Sequence, residues 1–222
     1  MGSFRDIFDR AAEFKGGAAD LEKLLPVAKS KSEIAAVPDH RYLAGMTKCV
    51  FNAGFSWKVV EQKWDGFEQA FLGFEPRRVV ALNDEDLDAL MHNAQIIRHG
   101  QKIRATRDNA RFVLDLAEEH GSAGRFFADW PNDDIVGLWA FLKKRGSRLG
   151  GASGQYFLRF AGIDTPIMSR DVVAALIREG VVDKNPTSQR DLKAVQAAFN
   201  AWHAESGRGL AEISRVLAVS TG

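Results

Sequence analysis

Apolar side chains recur with helical spacing almost from end to end of this chain, and that periodicity is the strongest constraint on its folding. Leu87, Leu90 and Met91 stand at i, i+3 and i+4 behind Asn83, which suits an N-cap, with Asp84, Glu85 and Asp86 in the first turn. Ile103, Ala110, Val113 and Leu114 form a second stripe. Ile135, Leu138, Trp139 and Leu142 form a third, ending at Gly146 after Lys143, Lys144 and Arg145, cations that suit a helix C-terminus. Ser188, followed by Asp191, opens a helix whose Leu192, Val195, Phe199 and Trp202 share a face, and Leu210, Ile213 and Leu217 mark the last helix. Pro76 fits the first position of a short helix through Leu82. No stretch alternates apolar and polar residues over a strand's length, so the expected fold class is all-α.

A chain of 222 residues can bury a sizeable core, as one domain or as two lobes sharing an interface. The segments 15–17, 121–123, 130–133, 146–154 and 183–188 read as loops, and 29–39 starts polar enough to separate an N-terminal helical pair from the rest. No run is long and apolar enough for a transmembrane span, and Met1–Asp6 lacks the apolar core of a signal peptide. Cys49 is the only cysteine, which excludes an internal disulfide and fits a reducing cytoplasm. The net charge of +1 excludes no partner, because local patches rather than totals set the field at a phosphate backbone.

Two segments carry candidate chemistry. The first is Phe51-Asn52-Ala53-Gly54-Phe55-Ser56-Trp57, read with Asn93-Ala94-Gln95-Ile96-Ile97-Arg98-His99 and the Lys102-Ile103 pair beyond it. The second is Lys143-Lys144-Arg145-Gly146-Ser147-Arg148-Leu149-Gly150-Gly151-Ala152-Ser153-Gly154. A helix, a glycine turn and a second helix would present backbone N–H groups that hold one phosphate without reading sequence. Gly150, Gly151, Ser153 and Gly154 would supply the close backbone, and Lys144 and Arg148 the charge. The plainer alternative is a glycine-rich turn joining two core helices. Arg98, Lys102, Arg104, Arg107 and Arg111 also cluster, either as a phosphate-contacting surface or as a solvated face partly neutralised by Asp108 and Asp115.

The two motifs, in this order, resemble the DNA-3-methyladenine glycosylase I family of the helix-hairpin-helix glycosylase superfamily. That resemblance implies a two-lobed all-α fold over residues 1–222. Its core is expected at about 40–180, with the hairpin near 135–162, and residues 1–39 and 181–222 packing as the second helical lobe. It also implies a base-excision repair enzyme that extrudes a damaged base from duplex DNA and hydrolyses its N-glycosidic bond. The substrate implied is an alkylated purine resembling 3-methyladenine, with no cofactor, and a cytoplasmic monomer is expected.

Residue by residue, Trp57 corresponds to the family's pocket tryptophan, and Phe55, Asn52 and Cys49 lie around it. The alternative for Trp57 is a core aromatic. The family's base-reading glutamate stands eight residues before that tryptophan, where this chain has Cys49, and its two following glutamines map onto Phe51 and Asn52. The polar side of the pocket is therefore largely replaced, and Lys48, Tyr42, Asp39 and Glu61 are the other polar candidates nearby. Members of the superfamily that also cleave the strand carry a lysine on the second hairpin helix. That position is Gly154 or Gln155 here, so no Schiff base forms there and a monofunctional enzyme is expected. Asp171, behind Ser169, matches the superfamily's acid at the next helix start, although an acid there also simply complements the helix dipole. The family's zinc site has no counterpart among one cysteine and five scattered histidines, so no metal is expected. Three alternatives remain: the same fold acting on a different damaged base, a non-catalytic DNA-binding or damage-recognition protein, or a helical interaction protein without DNA binding.

Overall fold

The computed structural model describes residues 1–222, and every regular element in it is helical. In chain order the α-helices are α1 (Phe4–Lys15), α2 (Ala18–Glu22), α3 (Lys31–Ala35), α4 (Asp39–Asn52), α5 (Trp57–Gln62), α6 (Trp64–Ala70), α7 (Pro76–Val80) and α8 (Asp84–Leu90). They continue with α9 (Gly100–His120), α10 (Ala123–Asp129), α11 (Ile135–Arg145), α12 (Ala152–Ala161), α13 (Arg170–Arg178), α14 (Gln189–Ser206) and α15 (Leu210–Val219).

Side-chain caps account for many of the starts. Asn83 accepts from the Asp86 amide while Asp86 reaches back to the Asn83 amide, closing a capping box at α8. Ser188 accepts from the Asp191 amide at α14, and Pro76 opens α7. The helix at Pro76 stops at Val80, two residues short of the expected Leu82. Ser30 and Glu33 form another capping box at α3, inside the stretch read from sequence as a separator.

The chain divides into two compact units. A terminal unit holds Met1–Lys29, Pro131–Leu138 and Gly162–Gly222, and a central unit holds Ser30–Trp130 and Trp139–Ala161. These boundaries differ from those expected at 39/40 and 180/181. Residues 30–39 belong to the central unit because Ile34 is buried, its carbonyl accepts from the Tyr42 hydroxyl, and Asp39 accepts from the Ala123 amide at the start of α10. Residues 162–180 belong to the terminal unit, where α13 packs on α15 and Arg178 donates to the Ser220 carbonyl and hydroxyl.

In the central unit α4 runs against α9 and α12, with the Phe157 ring 3.6 Å from where a Cβ on Gly45 would stand. Phe51, Phe67, Phe71 and Phe74 are fully buried, and Trp64 stacks on Phe67 and Phe74. Each such ring contributes about 1.5–3 kcal/mol through burial, which anchors the segment following α4. In the terminal unit α1 packs on α2, α14 and α15, and Trp202 donates to the Gly2 carbonyl.

Candidate functional site

The last turn of α4 carries Cys49 and Asn52 one helical turn apart, which places both on one face. With Ala53 and Trp57 they meet Ala152, Ser153 and Tyr156 from the start of α12 around a cavity of about 110 Å³. Trp57 is 47% exposed, its ring held edge-on by Tyr156 at 5.2 Å and by Phe160 at 5.4 Å. An indole fixed by two neighbours yet half open offers a face to a planar ligand rather than serving as core filling. The cavity is far smaller than the roughly 300–1,000 Å³ of drug-sized sites, which suits one planar group better than a whole nucleotide.

No charged side chain lines this cavity. Burial pushes the Cys49 thiol up to about 12, against the small opposing pull of Lys48, so it stays neutral near pH 7. The Asn52 Oδ1 is shut off from solvent and meets no donor. A buried acceptor without a partner costs about 1–3 kcal/mol, so its position beside the cavity is notable.

The other polar candidates are engaged elsewhere. The Tyr42 hydroxyl donates to Ile34 in the core, Asp39 caps α10, and Lys48 pairs with Glu61 at 2.5 Å over the Trp64 ring. Phe55, expected in the pocket, stands outside it. Gly54 takes φ +85° and turns the chain, leaving the Phe55 ring against His99 and Lys102.

Sequence reading missed how Lys102 is used. This side chain is buried and donates to the carbonyls of Phe51 and Ala53, capping the C-terminus of α4, with its ammonium 4.6 Å from the Phe55 ring centre. Desolvation, with help from the nearby Arg148, lowers its pKa from the ordinary lysine value. Tyr156 was also missed. Its signal lay in the i, i+4 pair of aromatics Tyr156 and Phe160 on the helix after the glycine turn.

The glycine turn is fixed by buried Asn109. Its Oδ1 accepts from the Ser147 amide at 2.8 Å and its Nδ2 donates to the Ser147 carbonyl at 3.0 Å. Arg148 adopts φ +60° and donates to Gln101. Gly151 takes φ +58°, and a Cβ there would meet nothing within 4 Å, so its backbone faces open space. Lys144 is exposed and Gly150 partly so. Gly154 departs from the expected phosphate-facing role. It is buried, and a Cβ would lie 2.3 Å from the Leu149 carbonyl, so this glycine allows the turn to pack on α12. Ser153, expected at the phosphate, lines the cavity.

The basic stripe of α9 is largely paired within the central unit. Arg107 bonds Asp84 at 2.9 Å, Arg111 bonds Asp115 at 3.1 Å, and Arg104 approaches Asp88 at 3.9 Å, which favours the solvated-face reading. Asp171 is exposed in the first turn of α13 behind the Ser169 cap and lines neither cavity described here. The terminal unit has its own cavity, about 350 Å³, where Asp164 accepts from the Leu210 and Ala211 amides and so caps α15. No group of three or more His, Cys, Asp or Glu side chains stands where it could hold a metal ion.

Residues 37–145 match the family model described as methyladenine glycosylase. The chain is 34% identical over 90 residues to DNA-3-methyladenine glycosylase 1 of Escherichia coli (strain K12), which is 40% of this chain and 42% of that protein. It thus spans less than half the length of the curated relatives it matches. The crystal structure of a 3-methyladenine DNA glycosylase I is similar over 62% of this chain and 82% of that one, at 26% identity and TM-score 0.51. The 8-oxoguanine glycosylase/lyase of Methanocaldococcus jannaschii shares the fold over 95% of this chain and 94% of its own, at 17% identity and TM-score 0.53. Residues 37–145 thus resemble the methyladenine glycosylase family, and the chain shares its all-helical fold with solved DNA glycosylases.

Proposed function

We propose that the protein is a monofunctional DNA glycosylase of base-excision repair, acting on duplex DNA that contains a damaged base. It extrudes an alkylated purine resembling 3-methyladenine and hydrolyses its N-glycosidic bond without a cofactor. One observation carries the reading. The first turn of α12 joins the open backbone at Gly151 to the cavity walls Ala152, Ser153 and Tyr156, so a phosphate contact and a base contact lie within one helical turn. The relatives' names support the same chemistry.

In this reading Gly150, Gly151, Lys144 and Arg148 hold the backbone, and Trp57 stacks on the base. An alkylated purine already carries positive charge, so it departs readily and the protein mainly supplies binding, extrusion and steadying of the sugar cation. Asp171 is the candidate for that last role. Gln155 and Gly154 offer no amine on α12 for a Schiff base. The neutral Cys49 in place of a carboxylate favours, as a second reading, the same fold acting on a different damaged base.

The test is an excision assay on duplexes carrying 3-methyladenine, 7-methylguanine, hypoxanthine and uracil, with borohydride added in parallel. Release of a methylated purine with no trapped protein–DNA adduct is the expected result. No release from any duplex would leave a DNA-binding protein without the chemistry, and a trapped adduct would overturn the monofunctional assignment. Loss of most of the rate in Asp171→Asn with DNA affinity retained is expected, and an unchanged rate would remove Asp171 from the site.

A further inference from the structure

Seven consecutive residues, 53–59, are exposed, and Trp57 is among them. Little inside this segment holds its shape. Gly54 stands at φ +85° with open space where a Cβ would go, and Ser56 opens α5 without a side-chain cap. The turn bond from the Phe55 amide to the Asn52 carbonyl is long, at 3.4 Å. The anchor comes from α9. Lys102, only 4% exposed, donates to the carbonyls of Phe51 and Ala53 and sets its ammonium 4.6 Å from the Phe55 ring centre. A buried ammonium loses its hydration, and no carboxylate compensates this one; the charge that bears on it is another cation, Arg148. What offsets the loss is the negative end of the α4 dipole together with the ring face. An apolar side chain would fill the same space without that penalty, so the lysine's distinctive contribution is its directed bonds to the turn.

We infer that Lys102 is a positioning residue, its buried ammonium strapping the turn 53–56 to α9 and so fixing where Trp57 stands for the base. This rests on the glycosylase reading above, and Lys102 acts through Trp57 rather than on the reacting atoms. The division of labour is clear in the contacts. Tyr156 and Phe160 orient the indole ring, whereas Lys102 sets the backbone that leads into it. A segment already ordered before DNA arrives spares the binding step the entropy of ordering it. Phe55 belongs to the same clasp, since its ring lies against the ammonium instead of in the cavity.

Lys102→Met tests this, because it keeps the length of the side chain and removes its donors and charge. Fluorine NMR of the full chain labelled with fluorotryptophan follows the ring, with signals identified by Trp57→Phe and Trp202→Phe. In Lys102→Met the Trp57 signal is expected to shift or broaden while that of Trp202, in the terminal unit, stays in place. Single-turnover excision from alkylated duplex should fall about tenfold in Lys102→Met, but by less than about twofold when the same change is made in a Trp57→Ala background. A merely stabilising lysine would give equal losses in both backgrounds, and that result, or an unmoved Trp57 signal in the folded variant, overturns the inference. Thermal melting identifies a Lys102→Met that fails to fold, and Lys102→Gln then carries the same comparison. Nitrogen relaxation of the wild type needs no variant: amides 53–57 are expected to be as rigid as the helices, with order parameters of about 0.85, and values below about 0.6 overturn the strap. A wild type that releases no base while Lys102→Met moves the Trp57 signal overturns the glycosylase reading alone. One that excises while the signal stays put overturns the Lys102 assignment alone.

Discussion

At the scale of single residues, the site depends on groups whose environment departs from what their type suggests. Lys102 is a lysine used as a buried helix cap, and Cys49 is a thiol kept neutral by burial. Trp57 is an aromatic left 47% exposed while Phe51, six residues before it, is fully buried. Because Tyr156 and Phe160 fix its ring edge-on, Trp57 can stack on a base with little loss of side-chain freedom. Trp57→Ala is therefore expected to weaken binding to lesion-containing duplex by about 1–3 kcal/mol and binding to undamaged duplex by much less. Fluorescence anisotropy with the two duplexes checks this, and equal loss on both would place Trp57 outside the base contact.

At the scale of elements, the turn leading into α12 separates two glycine roles that look alike in sequence. Gly151 is open and positive in φ, whereas Gly154 is pressed on the Leu149 carbonyl. Gly151→Glu should abolish salt-dependent duplex binding by placing a carboxylate where a phosphate would sit, at a conformational cost of about 1–2 kcal/mol. Gly154→Val should instead act on folding, because the added atoms would overlap the turn, at a cost of about 1–3 kcal/mol or more. Duplex titrations and thermal melts of both variants separate the roles. A Gly151→Glu protein that binds DNA normally would remove the turn from the interface, and a fully stable Gly154→Val would contradict its packing role.

At the scale of the whole molecule, the chain's ends are tied within the terminal unit through one buried carboxylate. Burial works to raise the Glu179 carboxyl, but the Arg178 and Arg10 guanidiniums, each bonded at 2.9 Å, outweigh it and hold it below the usual glutamate range. A carboxyl with a lowered folded pKa contributes stability that is present above its unfolded value, about 4.3, and lost as pH falls through the folded one. Thermal melting is thus expected to weaken as pH drops below that range, and Glu179→Gln should lower the midpoint at neutral pH and flatten the acid limb. A variant with wild-type pH dependence would show that the carboxylate is not coupled to folding.

The sequence by itself determined the all-α class and the caps at Asn83 and Ser188, because spacing and capping act between near neighbours. Tertiary structure alone decided that Cys49 and Asn52 face Ser153 and Tyr156, about a hundred residues away along the chain, across the packing of α4 on α12. It also decided that 30–39 joins the central unit, that Phe55 leaves the pocket, and that the α9 arginines are spent on aspartates. Burial and pairing are set by which surfaces meet, and local sequence carries no record of a distant partner.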